Sequence, residues 1–128
     1  MDLRDAVEAD AERLASLTDA PRDVMENLVH DRTVRVAEAD EAVRGFVSYD
    51  AREQTVYVTQ IAGEADLYPQ LLAEPVGFAA TEDMAVELLV PADDEAVQSA
   101  ATAADFERVG TGPRFDGVST VRYRLENP

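Results

Sequence analysis

The sequence contains no cysteine. A disulfide framework, a thiolate zinc site and a cysteine nucleophile are therefore excluded. It has no tryptophan and no lysine, so all 11 residues of the Lys-plus-Arg set are arginine. Basic surface is scarce: those 11 face 27 Asp plus Glu, for a formal net charge of −16. Phosphate binding along a nucleic acid needs basic surface, so nucleic acid is not an expected partner. No stretch approaches the roughly 20 apolar residues of a membrane span, and no membrane association is expected. The N-terminal MDLRDAVEAD is acidic where a secretory signal would be basic and then apolar, so the expected location is the cytoplasm. Glycine is sparse as well: after Gly63 none follows until Gly77.

What is present suits one compact domain over residues 1–128. The chain is 46% hydrophobic, enough for one core and too little for two. The acid excess has two readings: a cationic substrate or partner, or adaptation to concentrated salt. At about 1 M salt the Debye length is roughly 3 Å, so self-repulsion is screened and a carboxylate-rich surface stays soluble. The acids are spread along the whole chain, which suits the second reading. The composition, acidic, rich in Ala and Val and without lysine, looks like that of halophilic archaea.

Periodicity gives the order β-α-α-β-β-β-α-β-α-β-β. LRDAV reads as a short strand, and Leu14 and Leu17 mark a helix from about Ala9. TDAPRDVMENLVHD reads as a second helix, with Asp19 as its cap and Pro21 in its first turn. TVRVAEA, AVRGFVSYD and QTVYVTQIA are β-branched and aromatic, with turns expected at Ala39–Glu41 and Ala51–Glu53. A helix follows from about Leu67 to Thr81, which Pro75 and Gly77 are expected to kink or split. AVELLVP reads as a central strand buried on both faces. DDEAVQSAATAADF reads as a helix with Asp93 and Asp94 at its start. FERVG and VSTVRYRLE close the chain as strands. The strand–helix–strand crossover in the middle implies a local parallel pair, so the fold class is α/β, a mixed α+β sheet.

This order resembles the GNAT N-acetyltransferase family over nearly the whole chain. LRDAVEADAERLASL resembles its opening strand and helix, AVRGFVSYD its third strand with Gly45 before an apolar pair, and DEAVQSAATAADFERVG its final helix with Phe106 and Gly110. The resemblance implies acyl transfer from acyl-coenzyme A to an amine. It implies splayed fourth and fifth strands, with the pantetheine arm in the gap. It places the pyrophosphate on a glycine-rich turn, R/Q-G-x-G-x-G/A, opening the third helix. It also implies a carboxylate or water near the fourth strand as base and a tyrosine in the last helix as acid.

The stretch TQIAGEADLYPQLL, from Thr59, occupies the place of that turn. Strand, glycine turn and helix start are the parts that hold a phosphate. Counted back from Leu71 and Leu72, Gly63 stands at the Arg/Gln position, and Glu64, Asp66 and Tyr68 at the three glycine positions. The expected cofactor segment is therefore Ile61, Gly63, Glu64, Ala65, Asp66, Leu67 and Tyr68, in degenerate form. Two unit charges about 5 Å apart repel by roughly 3 kcal/mol at an effective dielectric near 20, so carboxylates here oppose a polyanion. Asp66 is expected to cap the third helix itself. Ala101 falls at the position of the tyrosine acid, and Asp94 at that of an asparagine.

Catalytic candidates are few. Glu87 is the carboxylate nearest the expected gap, and its plainer reading is a solvated strand-end acid. Thr59 and Gln60 could line the cleft, with Tyr57, Thr59 and Ile61 on one face and Val56, Val58 and Gln60 on the other. His30 is expected at the end of the second helix. No metal site is expected, since PADDEA lacks the spacing of a calcium loop. Arg114 and Phe115 read as a hairpin loop with some capacity for contact.

Two functional readings lead. In the first, a divergent GNAT-fold domain has impaired or lost acyl-CoA binding, needs no cofactor and acts as a binding or regulatory module. In the second, it is an active N-acetyltransferase that holds acetyl-CoA by other contacts, such as Arg44, Arg52 or Arg114, and acts on a small-molecule amine. A gap plugged by Tyr68 or Phe78 favours the first. An open V between the fourth and fifth strands, with free N–H groups at residues 63–68, favours the second. A third reading is a small α/β domain with an unrelated role.

Overall fold

A computed structural model describes residues 1–114 and 117–128. Phe115 lies outside the described residues. The elements are β1 (Asp2–Asp5), α1 (Ala11–Thr18), α2 (Arg22–Asp31), β2 (Thr33–Ala39), β3 (Ala42–Arg52), β4 (Thr55–Gly63), α3 (Tyr68–Glu82), β5 (Ala85–Pro91), α4 (Glu95–Ala103), β6 (Glu107–Thr111) and β7 (Thr120–Leu125). Short 3-10 turns at Glu8–Asp10 and Ala65–Leu67 lead into α1 and α3. The element order is the one the periodicity implies. Among the described residues, no helix is long and apolar enough to cross a membrane.

The strands form one sheet in the order β1-β2-β3-β4-β5-β7-β6. Among the described residues, only β4 and β5 run parallel; the other strand pairs are antiparallel. Two tight hairpins build the β2–β3–β4 meander. Their turn residues, Asp40 and Glu41 (φ 53° and 64°) and Glu53 and Gln54 (φ 49° and 69°), all have positive φ, the conformation that matches strand twist in two-residue turns. The second turn sits later than expected because β3 runs on to Arg52.

The helices divide between the two faces. On one, α1 and α2 bury Ala11, Leu14 and Met25 against Val34, Val36 and Phe46. On the other, α3 and α4 bury Leu71, Leu72, Val97 and Ala101 against Val47, Val56, Val86 and Val90. Each such side chain contributes about 1.5–3 kcal/mol by leaving water. Asp19 does not cap α2. It takes a left-handed conformation (φ 59°) that ends α1, and Pro21 is the residue entering α2. Nor is α3 split: it is continuous from Tyr68 to Glu82, with Pro75 buried inside it. The lost backbone bond at proline is outweighed by packing of that side of the helix on the sheet.

The N-terminal strand is fastened by Asp10. Its carboxylate accepts from Arg4 Nη1 at 2.9 Å, Arg4 Nη2 at 3.0 Å and the Val7 N–H at 2.8 Å. The Arg4 guanidinium holds this carboxyl below the ordinary carboxylate range, against the opposing effect of burial. Asp10→Asn is therefore expected to cost about 1–2 kcal/mol at neutral pH, a figure kept low because Arg4 is one-third exposed. A depressed folded pKa stabilises above the unfolded value, and that stability fades as pH falls through the folded one. Denaturant melts from neutral pH into acid should show wild type and variant converging in strong acid.

Candidate functional site

The site begins with an irregularity in β4. Tyr49 pairs with Val58 and Ser48 with Gln60, so Thr59 is an extra, unpaired residue and β4 bends there. The Thr59 hydroxyl lies 2.7 Å from that of fully buried Ser48. The bulge also reverses the alternation expected for this strand. Ile61 joins Val56 and Val58 in the core under α3 and α4, while Ala62 packs toward α1 and α2. Gln60, opposite Ser48 and two residues from Ala62, therefore shares the face of Tyr57 rather than that of Val58.

Because β4 bends and β5 stays in register with β7, the two strands part. They pair only from Thr55↔Ala85 to Val58↔Leu88. Residues 59–63 and 89–91 have no partner across the gap. The result is an open cleft of about 630 Å³ that reaches through the sheet. On the face not covered by helices its walls carry Arg52, Tyr57, Glu87 and Arg122; on the α3/α4 face they carry Ile61, Val90, Asp94 and Val97. Thr59, Gln60, Ile61 and Glu87 are thus brought together in one cleft. Neither expected plug closes it. Phe78 is exposed and leans on Tyr49, with ring centroids 5.9 Å apart.

Glu87 is not the solvated strand-end acid expected. It is 9% exposed, and its two oxygens accept from Arg122 Nη1 at 2.7 Å and Arg124 Nη1 at 2.8 Å. Two guanidinium groups stabilise the ionised carboxylate, which disfavours its taking an amine proton. The hydroxyl of Thr59 is likewise occupied by Ser48. Neither arginine stood out in the sequence. The alternation in TVRYRL puts both on one face, and the β5–β7 register sets Arg124 opposite Glu87. β5 is correspondingly not buried on both faces, since Leu89 is exposed on the uncovered side.

Gly63, Glu64, Ala65, Asp66, Leu67 and Tyr68 lie outside the cleft walls. Gly63 has φ 120°, and a Cβ there would overlap the Arg44 carbonyl oxygen and the Gly45 Cα. This glycine serves the close crossing of β3 and β4. Glu64 reaches Arg44 Nη1 at 3.2 Å, and its N–H donates to the Arg44 carbonyl at 3.0 Å. Leu67 and Tyr68 donate to the carbonyls of Glu64 and Ala65. The N–H groups of Ala65 and Asp66 have no backbone acceptor among the described residues. Asp66 does not cap α3; the residue before the helix is Leu67, with no side-chain cap. Tyr68 is buried, its hydroxyl 3.4 Å from the Gly63 carbonyl, and burial followed by the Asp94 charge pushes its phenol above the ordinary range. Two donors flanked by two carboxylates, without a glycine cradle, do not fit a pyrophosphate.

The remaining candidates are structural. Asp94 caps α4, accepting from the Val97 N–H at 3.2 Å. His30 ends α2 and faces Glu8 at 3.5 Å on the surface. Arg114 donates to the Gly117 carbonyl at 3.1 Å within the β6–β7 loop. Ala101 is fully buried. Among the described residues, no group of three or more His, Asp or Glu is arranged to hold a metal ion.

No protein-family model matches the chain, and no curated protein is similar to it in sequence. Solved structures do match along its whole length. yncA from Salmonella typhimurium, solved with its cofactor acetyl-CoA, superposes with a TM-score of 0.82 at 14% identity, covering 100% of this chain and 94% of that one. An aminoglycoside 6′-acetyltransferase type Ii gives 0.81 at 13% identity, covering 100% and 99%. A protein from Desulfovibrio desulfuricans described as an acetyltransferase of the GNAT family gives 0.76 at 20% identity, covering 99% of each chain. With the mixed seven-stranded sheet and its parting at β4 and β5, these matches establish that the chain has the GNAT acetyltransferase fold from end to end.

Proposed function

We propose that this GNAT-fold chain is a binding module that uses the β4–β5 cleft without ordinary acyl-CoA transfer. The observation that carries the reading is the turn from β4 into α3. Its one glycine is required by the close approach of β3 and β4, and it carries two carboxylates: Glu64, paired with Arg44, and Asp66. The engagement of the cleft's carboxylates agrees: Glu87 is held by two arginines and Asp94 caps α4, while the Thr59 hydroxyl is bonded to that of Ser48. The cleft itself is open and of a size that takes a small molecule.

Calorimetric and thermal-shift titration with acetyl-CoA in molar KCl tests this. No binding is expected up to about 1 mM, the weak limit of useful affinity near −4.1 kcal/mol. Saturation at about 100 times Kd would add roughly 2.7 kcal/mol of stability and would overturn the reading. The second reading, an N-acetyltransferase of a small-molecule amine, would then hold. It is favoured by the parting of the strands and by the N–H groups of Ala65 and Asp66, which among the described residues have no backbone acceptor.

A further inference from the structure

We propose that the β4–β5 cleft binds a small apolar acid, its single carboxylate or phosphate held between Arg52 and Arg122. The inference deepens the binding-module reading and rests on it in taking the cleft, rather than the turn before α3, as the ligand site. Arg122 donates to Glu87 through Nη1 alone. Among the described residues its Nε and Nη2 have no acceptor, although it lines the cleft. Those two donors form the fork that meets a carboxylate or phosphate in two parallel hydrogen bonds.

Arg52 supplies the second arm. Its guanidinium lies over the Tyr57 ring, 4.9 Å from the centroid. Its nearest carboxylate, on Asp50, is 3.7 Å away, beyond hydrogen-bond range. Stacking on an aromatic face fixes the direction of an arginine while leaving its N–H groups available. Glu87 sits between Arg122 and Arg124, and Arg124 is also paired with Glu126 at 2.6 Å, so Arg124 is fully engaged and the unused donors are those of Arg122. In a chain of net charge −16, this end of the cleft keeps cationic groups with unused donors.

The rest of the cleft defines the ligand's body. Val58, Ile61, Val90 and Val97 give it an apolar wall. Asp94 stands at the opposite end, beside α4, and disfavours a second acidic group there. A volume of about 630 Å³ suits a body of drug-like size. An ammonium ligand would meet the two guanidinium groups and be repelled.

The test is calorimetric titration of the full chain in about 1 M KCl, a salt level that already screens non-specific attraction. The probes are octanoate, octyl phosphate, octanol and octylamine. At least one of the two acids is expected to bind about tenfold or more tighter than octanol, and octylamine weaker than octanol. The acid that binds tighter identifies the headgroup. Arg52→Gln and Arg122→Gln are each expected to weaken the acids about tenfold and leave octanol unchanged. Arg122→Gln also removes a partner of Glu87, whereas the Arg52 side chain makes no hydrogen bond among the described residues, only the long ion pair to Asp50, so Arg52→Gln keeps the test open if the other variant is unstable. Octylamine binding as tightly as octanoate, failure of both acids to bind, or acid binding unchanged in Arg52→Gln would each overturn the proposal. Acetyl-CoA run alongside separates this outcome from that of the module reading: its binding refutes that reading alone.

Discussion

Gly63→Ala is expected to destabilise the protein by at least about 3 kcal/mol and to lower its melting temperature by more than about 10 °C. Two penalties combine. The residue has φ 120°, where an L side chain is strained, and its Cβ would overlap backbone atoms of Arg44 and Gly45. Backbone cannot swing aside as a long side chain can, so β3 and β4 must separate where Gly45 pairs with Gly63. That separation also disturbs Phe46 and Val47, both fully buried. Gly77 provides the contrast. It lies in α3, a Cβ there meets nothing within 4 Å, and Gly77→Ala is expected to stabilise by up to about 1 kcal/mol. Thermal or urea melts of the two variants check both signs. A glycine present for phosphate contact would lose ligand affinity on substitution with little change in melting temperature. A small effect of Gly63→Ala would therefore undo the structural account of this turn.

Raising KCl from about 0.1 M to 1 M shortens the Debye length from roughly 10 Å to 3 Å, and the melting temperature is expected to climb by about 15 °C. The physical basis is the formal charge of −16 on 128 residues. Like charges held on a compact surface repel more than along an expanded chain, so screening favours the folded state by several kcal/mol. Salt also weakens attractive pairs, and the sign depends on how many are exposed. The main ones here are partly shielded: Asp10, Glu74 and Glu87, paired with Arg4, Arg35 and Arg122, have side chains 12%, 23% and 11% exposed. Their loss on screening is small beside the relief of repulsion. Differential scanning calorimetry across a KCl series reads the outcome directly. A melting temperature that stays level or falls as KCl rises would remove concentrated salt as the reason for the acid excess.

Much of the fold was legible because the strands carry β-branched runs between turn residues and the helices carry apolar stripes. The site was legible only in outline. Residues 59–61 and Glu87 were placed at the cleft by their strands, but the bulge at Thr59 is set by pairing with β3 and leaves no mark in local composition. That one extra residue moved Ile61 and Gln60 to faces opposite those strict alternation implies. Asp19 and Asp66 read as caps because Asp suits that role, yet Asp19 ends α1 in a left-handed conformation and Asp66 lies in the 3-10 turn ahead of α3. Glu87 read as solvent-facing because its partners lie 35 and 37 residues away, on the last strand. Contacts of that range follow from topology, and no window of sequence contains them.

The parting of β4 from β5 also has a mechanical meaning. Four residue pairs, Thr55↔Ala85 through Val58↔Leu88, are all that stitch the β1–β4 plate to the β5–β7–β6 plate. On one side α3 and α4 run beneath this seam like the spine of a book, with Leu72 and Val97 in the binding. On the other side α1 and α2 pack on β2, β3 and β4 of the first plate. With so few ladder pairs across it, this seam is where the sheet is expected to flex most readily, and hydrogen exchange at residues 55–58 and 85–88 would read it. A molecule wedged in the V would act as the missing rungs of the ladder. It would set the angle between the plates and stiffen two half-sheets into one.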